Sequence, residues 1–293
     1  MTPEIIDIHP HIIAKDTTRY PIAPQHGQRS KWSATRPATF EQLIAEMDVA
    51  GVSKAAIVHS STTYGHNNSY VADSVAMQPK RFTGVYSFDL LASDALESFD
   101  YWLDHGMGGI RLFTGGATHQ TAGSWLVDPI TFPIWERCAE IGMTIVIQTT
   151  PTGLNMVAEL AERFPKVKIA LDHCGRPILQ DGPPYAACTE LFSLAKYDNV
   201  YLKITPKTFD LAQAAPGGAE AFFPHLVQVF GADHLAFGSN FPASEGPLKV
   251  LVDQGHACFA SLDVEDRAWI WGRTAKSLYP ILDNDSSNFE LVR

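Results

Sequence analysis

The chain has 293 residues, of which 45% are apolar and 18% charged, a balance that supports a large buried core and excludes wholesale disorder. Lys and Arg number 22 against 32 Asp and Glu, for a net charge of −10, which would repel a phosphate backbone; nucleic-acid binding is set aside. No run reaches the roughly 18 apolar residues of a membrane span, and no signal-peptide pattern is present, so a cytoplasmic protein away from membranes is expected.

Short runs rich in Val, Ile, Leu and Phe alternate with amphipathic stretches. The first strand is expected at Glu4–His9, followed by a long connection, 12–39. Phe40–Ala50 reads as a helix stopped by Gly51. The second and third strands are expected at Lys54–His59 and Phe82–Ser87. Ser93 is placed as the N-cap of a helix over Asp94–His105, with Leu96, Phe99 and Leu103 at helical spacing and Gly106 as its stop. The fourth strand, Gly109–Phe113, precedes a second long connection, 114–128. Then come a strand at Thr144–Gln148, a helix at Asn155–Phe164 ended by Pro165, and strands at Val167–Asp172 and Val200–Thr205. A helix at Ala219–Phe230, a strand at His234–Gly238 and a helix at Glu265–Leu278 close the series. This alternation predicts a single-domain (β/α)8 TIM barrel over 1–293, with 280–293 as a polar, peripheral tail. A doubly wound sheet is disfavoured, because His9-Pro10-His11 rather than a glycine-rich turn follows the first strand. Cys138, Cys174, Cys188 and Cys258 lack metal or redox spacing and are expected to be reduced and buried.

Barrel enzymes keep their chemistry at the C-terminal rim, where both long connections would emerge. The first is basic against the trend of the chain: Lys15, Arg19, Arg29, Lys31 and Arg36 face one acid, Asp16, which points to an anionic substrate. Arg19 and its neighbour Tyr20 are taken as substrate contacts. Strand alternation puts Asp7, His9 and His11 on one face, with Ile6 and Ile8 on the other against the helices. Two imidazoles at a strand end can chelate a divalent metal. His173, in phase with Ile169 and Leu171, is a third ligand or a group that polarises a carbonyl, and Gly175 and Pro177 turn Arg176 back over the site. Asn240 shares a face with Ala236 and Gly238; it is polar but no base at neutral pH. Arg111 suits a carboxylate or sulfonate, Gln148 ends its strand, and an inward Lys203 needs an anion or carbonyl. His59, His66 and Asn67 are placed at the rim, as is His119 on the second long connection. No nucleophile elbow, P-loop, dinucleotide fingerprint or HExxH pair occurs.

The ordered set of HxH at 9–11, Gly-Ile-Arg at 109–111, Asp-His-x-Gly-Arg-Pro at 172–177 and Gly-Ser-x-x-Pro at 238–242 resembles the amidohydrolase superfamily, in its lactonase branch, from Ile5 to Tyr279. The resemblance implies a barrel with its site at the strand C-termini and His9, His11 and His173 as the histidine set. It implies one divalent metal, zinc, on those three residues, or else a metal-free mechanism. It also implies a last-strand Asp that activates water, where this chain has Asn240. Two readings stand: another group is the base, or the chain is an inactivated variant. The expected activity is hydrolysis of a small anionic lactone. His173 and position 240 would lie at the reacting centre, with Arg111, Arg176, Gln148, Lys203, His59, His66, Arg19 and Tyr20 around the substrate. The rival readings are a metal-dependent decarboxylase of an aromatic or enoic acid, and a non-catalytic homologue that binds acids. A homo-oligomer is compatible with either.

Overall fold

The structure, a computed structural model, describes residues 3–115 and 123–283. Its eight strands are β1 (Ile5–Asp7), β2 (Val52–Val58), β3 (Phe82–Tyr86), β4 (Met107–Phe113), β5 (Thr144–Gln148), β6 (Lys168–Leu171), β7 (Val200–Ile204) and β8 (Leu235–Phe237). They pair in sequence order, each parallel to the next. The ring closes where Ile8 N donates to Phe237 O at 3.1 Å. Asp7 reinforces the seam, its Oδ1 accepting from Ser239 N at 2.8 Å. Gly238 is required there, because a Cβ at that position would sit 2.6 Å from the His9 Cβ. The (β/α)8 barrel expected from the alternation is therefore the observed architecture.

The helices are α1 (Lys31–Thr35), α2 (Phe40–Ala50), α3 (Ser61–Tyr64), α4 (Ser69–Met77), α5 (Ala95–Leu103), α6 (Phe132–Ile141), α7 (Leu154–Arg163), α8 (Thr189–Phe192), α9 (Pro206–Ala214), α10 (Gly218–Phe230), α11 (Leu248–Cys258), α12 (Val264–Ala268) and α13 (Thr274–Leu278). A π-helical turn, Trp269–Arg273, joins the last two into the single closing helix that periodicity predicts. Helix α2 shows why its limits were readable. Thr39 and Gln42 form a reciprocal capping box, worth about 1 kcal/mol, and Gly51 ends the helix at φ 74°. The α5 N-cap differs from expectation: it is Asp94 rather than Ser93, with no side-chain capping bond.

Two apolar layers hold the barrel. The outer layer lies between strands and helices and includes Ile57, Ile110, Ile145, Leu171, Leu202 and Trp271. The inner layer fills the barrel with Ile6, Ile8, Val58, Val146 and Ala170, above Tyr279 and Leu282. These layers correct two expected phases. Ile6 and Ile8 face the barrel interior, not the helices, and β1 ends at Asp7. Ile169 and Leu171 face the helices, so the inward residue beside them is Ala170. The start of the expected tail is not peripheral, since Leu282 is buried and its carbonyl accepts from Lys54 Nζ at 2.6 Å. All four cysteines are buried and free. Among the described residues no helix is long and apolar enough to cross a membrane.

Candidate active site at the barrel mouth

Residues just beyond the strands build a cavity of about 800 Å³. At its floor lies Asp172, the first residue after β6 and in phase with inward Ala170. Its carboxylate is fully buried. Oδ2 accepts from Arg111 Nε at 2.8 Å, while Oδ1 lies 3.1 Å from His9 Nδ1 and 3.4 Å from Lys203 Nζ. Lys203 also donates to Ile8 O at 3.2 Å. Burial pushes the Asp172 carboxyl up, but Arg111, His9 and Lys203 outweigh it and hold the group well below the usual carboxylate range. Burial pushes the Lys203 ammonium down to about 8 despite that partner. Arg111 is clamped further, since its Nη2 donates to Gln148 Oε1 at 2.8 Å. Gln148 in turn donates from Nε2 to Gly115 O at 3.2 Å.

The three expected histidines do gather here. His9 stands 5.1 Å from both His11 and His173 by ring centroid. Hydrogen bonding sets their protons. His11 Nδ1 lies 2.7 Å from Val58 O, which can only accept, so Nδ1 carries the proton and Nε2 is a bare acceptor. His9 Nδ1 lies in electrostatic contact with the ionised Asp172 Oδ1, which favours a proton on Nδ1, and both His9 ring nitrogens are buried without a hydrogen-bond partner among the described residues. His173 Nδ1 lies 2.9 Å from Thr205 Oγ1, which can donate or accept. Burial pushes His9 down to about 4, and His11 and His173 well below the ordinary imidazole value, so all three are neutral at pH 7.

His173 reaches the mouth by a different route from strand alternation. The backbone turns left-handed through His173 (φ 54°), Cys174 (φ 55°), Gly175 (φ 62°) and Arg176 (φ 58°). Such a run is costly for non-glycine residues and concentrates at functional sites. It brings Arg176 to the cavity wall. Asn240 is also left-handed, at φ 53°, and spends its Nδ2 on Ser244 Oγ at 2.9 Å. Asn is among the side chains that tolerate this region best.

Six cations line the cavity (Arg29, Lys31, Arg36, Arg111, Arg176 and Lys207), and among the described residues no carboxylate does. Burial lowers the Arg176 and Lys207 pKa values, and the neighbouring Arg111 charge lowers both further. Arg176 and Lys207 thus stand beside Arg111, whose own charge is met by Asp172 beneath the cavity wall. Trp32 stacks on His11 at 5.2 Å and 27°.

Other expected residues lie elsewhere. Arg19 Nη2 and Tyr20 Oη both donate to Asp73 Oδ2 at 2.6 Å, on α4, and neither lines the cavity. His59 is off the inward face of β2, with Nε2 on Gly65 O at 2.8 Å. His66 sits one layer out, its Nε2 3.2 Å from Gln25 Nε2. Lys203 lies beneath the floor rather than on the wall. His119 falls outside the described residues. Sequence reasoning missed Asp172, Trp32 and Lys207. An Asp directly before a strand-end His was the available signal for the first; nothing in the pattern marked the other two.

The donor set does not make up a metal site. Among the described residues no three His, Cys, Asp or Glu are disposed to hold an ion. The Asp172 carboxylate is committed to two cations, and position 240 offers an amide. The expected zinc on His9, His11 and His173 thus finds no ready cage, and no step below runs through a metal.

The chain is 25% identical over 259 residues to an L-fucono-1,5-lactonase of Burkholderia ambifaria, covering 84% of this chain and 85% of that protein. It is 25% identical over 243 residues to a 4-sulfomuconolactone hydrolase of Rhizobium radiobacter, covering 81% and 75%. A putative 2-pyrone-4,6-dicarboxylic acid hydrolase from Pseudomonas putida superposes with a TM-score of 0.76 at 21% identity, over 96% of this chain and 99% of that one, a likeness of fold. The profile described as Amidohydrolase matches residues 6–281, nearly the whole barrel, and the chain belongs to the amidohydrolase family.

Proposed function

We propose that the protein opens a small anionic lactone by adding water across its ester bond. The observation that carries this is a barrel-mouth cavity with six lining cations, no lining carboxylate among the described residues, and neutral histidines at its wall. The lactonase names of the two relatives support the same reading. Arg176, whose guanidinium makes no hydrogen bond or ion pair with the described residues, and Lys207 take a substrate carboxylate or sulfonate. Arg111 stiffens that corner through Asp172 and Gln148.

The ring carbonyl then lies against His173. With Thr205 donating to Nδ1, His173 Nε2–H hydrogen-bonds the oxygen that becomes negative. Water attacks the carbonyl carbon. Its proton passes to the bare His11 Nε2, and the Asn240 side-chain oxygen, its Nδ2 already spent, orients the same water. As the tetrahedral intermediate collapses, the ring C–O bond breaks. The departing oxygen recovers the proton from His11, and the products are a hydroxyl and a carboxylic acid, which ionises to the carboxylate by releasing the second proton of the water to solvent. In this scheme Asn240 positions water and His11 replaces the carboxylate base expected at the last strand.

The test is a panel of monocyclic lactones bearing one or two carboxylates or a sulfonate, with neutral lactones as controls. Ring-opened acid from the anionic members is the expected product. Turnover of neutral members alone would overturn the proposal, as would release of carbon dioxide from aromatic acids without ring opening.

A further inference from the structure

Trp32 is part of neither apolar layer of the barrel. It lies on α1, in the long connection after β1, half-buried against a small separate cluster of Ile13, Ala14, Tyr20 and Tyr64. Its indole also stacks on the His11 imidazole, with centroids 5.2 Å and planes 27° apart, and both side chains line the cavity. The helix that carries it is tied down on two sides. Thr62 Oγ1, in the connection after β2, donates to Ser30 Oγ at 2.9 Å. Arg36 N donates to Trp32 O at 2.8 Å, and Arg36 Nη2 donates to Ala243 O at 3.1 Å, in the connection after β8. Two neighbouring connections therefore hold the indole against His11.

His11 is fixed from other directions as well. Its backbone N donates to Phe241 O at 2.7 Å, its Nδ1 donates to Val58 O at 2.7 Å, and its ring meets His9 edge-on at 5.1 Å. The bare Nε2 takes the proton of water in the scheme above, so the ring becomes an imidazolium at that step. The surroundings oppose that charge. His11 is 4% exposed, and burial, His9 and the Arg111 guanidinium all favour the neutral ring. Asp172 favours the cation, but its carboxylate is already shared between Arg111 and Lys203. Two groups in contact with the ring also favour it: the Val58 carbonyl at the Nδ1 edge and the π-face of Trp32. A cation over an aromatic face is drawn to the ring quadrupole, most strongly over Trp, whereas a neutral ring gains packing alone. The stack is thus stronger in the transition state than before it, which is the condition for an interaction to raise kcat.

We propose that Trp32 is a positioning residue for the reaction: its indole holds the His11 ring towards the attacking water and stabilises the positive charge that His11 carries while it has the proton. This rests on the reading of His11 as the base of a lactone hydrolase.

Two substitutions separate this role from simple packing. Trp32→Leu keeps an apolar cover and removes the π-face; Trp32→Phe keeps a weaker face. On a lactone that the wild type opens, Trp32→Leu is expected to lower kcat about three- to thirtyfold, the range of a cation–π contact, with KM within about twofold. Trp32→Phe recovers part of that loss, and it carries the comparison with the wild type by itself if Trp32→Leu fails to fold. A second readout needs no turnover. With histidines isotopically labelled at Cε1, the His11 resonance is identified by its loss in His11→Gln, and Trp32→Leu is expected to move it by removing the ring current of the indole. Equal kcat in wild type and Trp32→Leu overturns the proposal, as does Trp32→Phe performing no better than Trp32→Leu. A raised KM with unchanged kcat also overturns it, since Trp32 would then touch substrate alone. A His11 resonance that Trp32→Leu leaves in place removes the contact itself. Failure of the hydrolase reading looks different: the wild type opens no lactone although the resonance still moves, and the rate role falls with the reaction while the stack remains.

Discussion

Replacing Asp172 by Asn keeps the side-chain volume and removes the carboxylate between Arg111, Lys203 and His9. Asp172 and Lys203 are fully buried and Arg111 is 6% exposed, so solvent does not screen the loss. Removing one partner of a buried ion pair costs about 3–5 kcal/mol, because the remaining charge stays desolvated and unpaired. Two cations depend on this carboxylate, but Lys203 is already pushed down to about 8 and sheds its proton more readily once the carboxylate is gone. The expected loss is therefore about 3–4 kcal/mol, read from urea unfolding at pH 7. A depressed carboxyl contributes stability above its ordinary value of about 3.9 and loses it as pH falls through the lower folded value. The deficit of the variant should accordingly be full at pH 7 and shrink below about pH 4. Adding Lys203→Met removes one orphaned cation, and the pair of substitutions should be less destabilising than the sum of the two by about 0.5–3 kcal/mol. A cost below about 1 kcal/mol at pH 7, a deficit unchanged into acid, or strictly additive substitutions would refute the view of Asp172 as the electrostatic keystone of the floor.

Four further outcomes follow from the same geometry. His11→Gln should lower kcat by about 10²–10⁴ with KM little changed, since the lost group meets water rather than the substrate anion; an unaltered kcat moves the base elsewhere. Because burial pushes His9 and His59 down to about 4, and His11 and His173 well down, kcat/KM should be flat between about pH 5.5 and 7.5, and a limb centred near 6.5 would contradict it. The stability these neutral histidines contribute is full above about 6.5 and declines as pH falls towards 4, because the unfolded chain takes up their protons first. Arg176→Gln should raise KM for an anionic lactone about tenfold and leave a neutral one unchanged; equal effects would make Arg176 a structural residue. Asn240→Asp places a carboxylate base at a backbone position Asp also tolerates, and should raise kcat at least about tenfold; equal kcat in both forms would separate position 240 from the reacting water.

The barrel was legible because its evidence is local. Alternating apolar runs and stops such as Gly51 depend on residues adjacent in the chain, and they placed all eight strands within a few positions. The phase of Arg111 and Lys203 followed from period-two alternation inside regular strands. That rule failed where regularity ended. Beyond Asp7 the chain leaves the β1 ladder, and at His173 it turns left-handed, so the histidines reach the mouth out of phase with their strands, while Ile6 and Ile8 face the interior and Ile169 and Leu171 the helices. Asp172 stood in plain view, but its role comes from Arg111 and Lys203, 61 and 31 positions away on two other strands. The basic connection 12–39 was read as a sign of an anionic ligand from charge alone. Only the folded chain sorts its members, sending Arg19 to Asp73 and Arg29, Lys31 and Arg36 to the cavity. Sequence by itself determined the strand-helix rhythm, the barrel and the histidines at its mouth, because short-range periodicity and residue chemistry suffice for those. Tertiary structure decided which cations line the cavity, which histidine nitrogens are left bare and what neutralises the buried charges, because each depends on distances between residues remote in the chain.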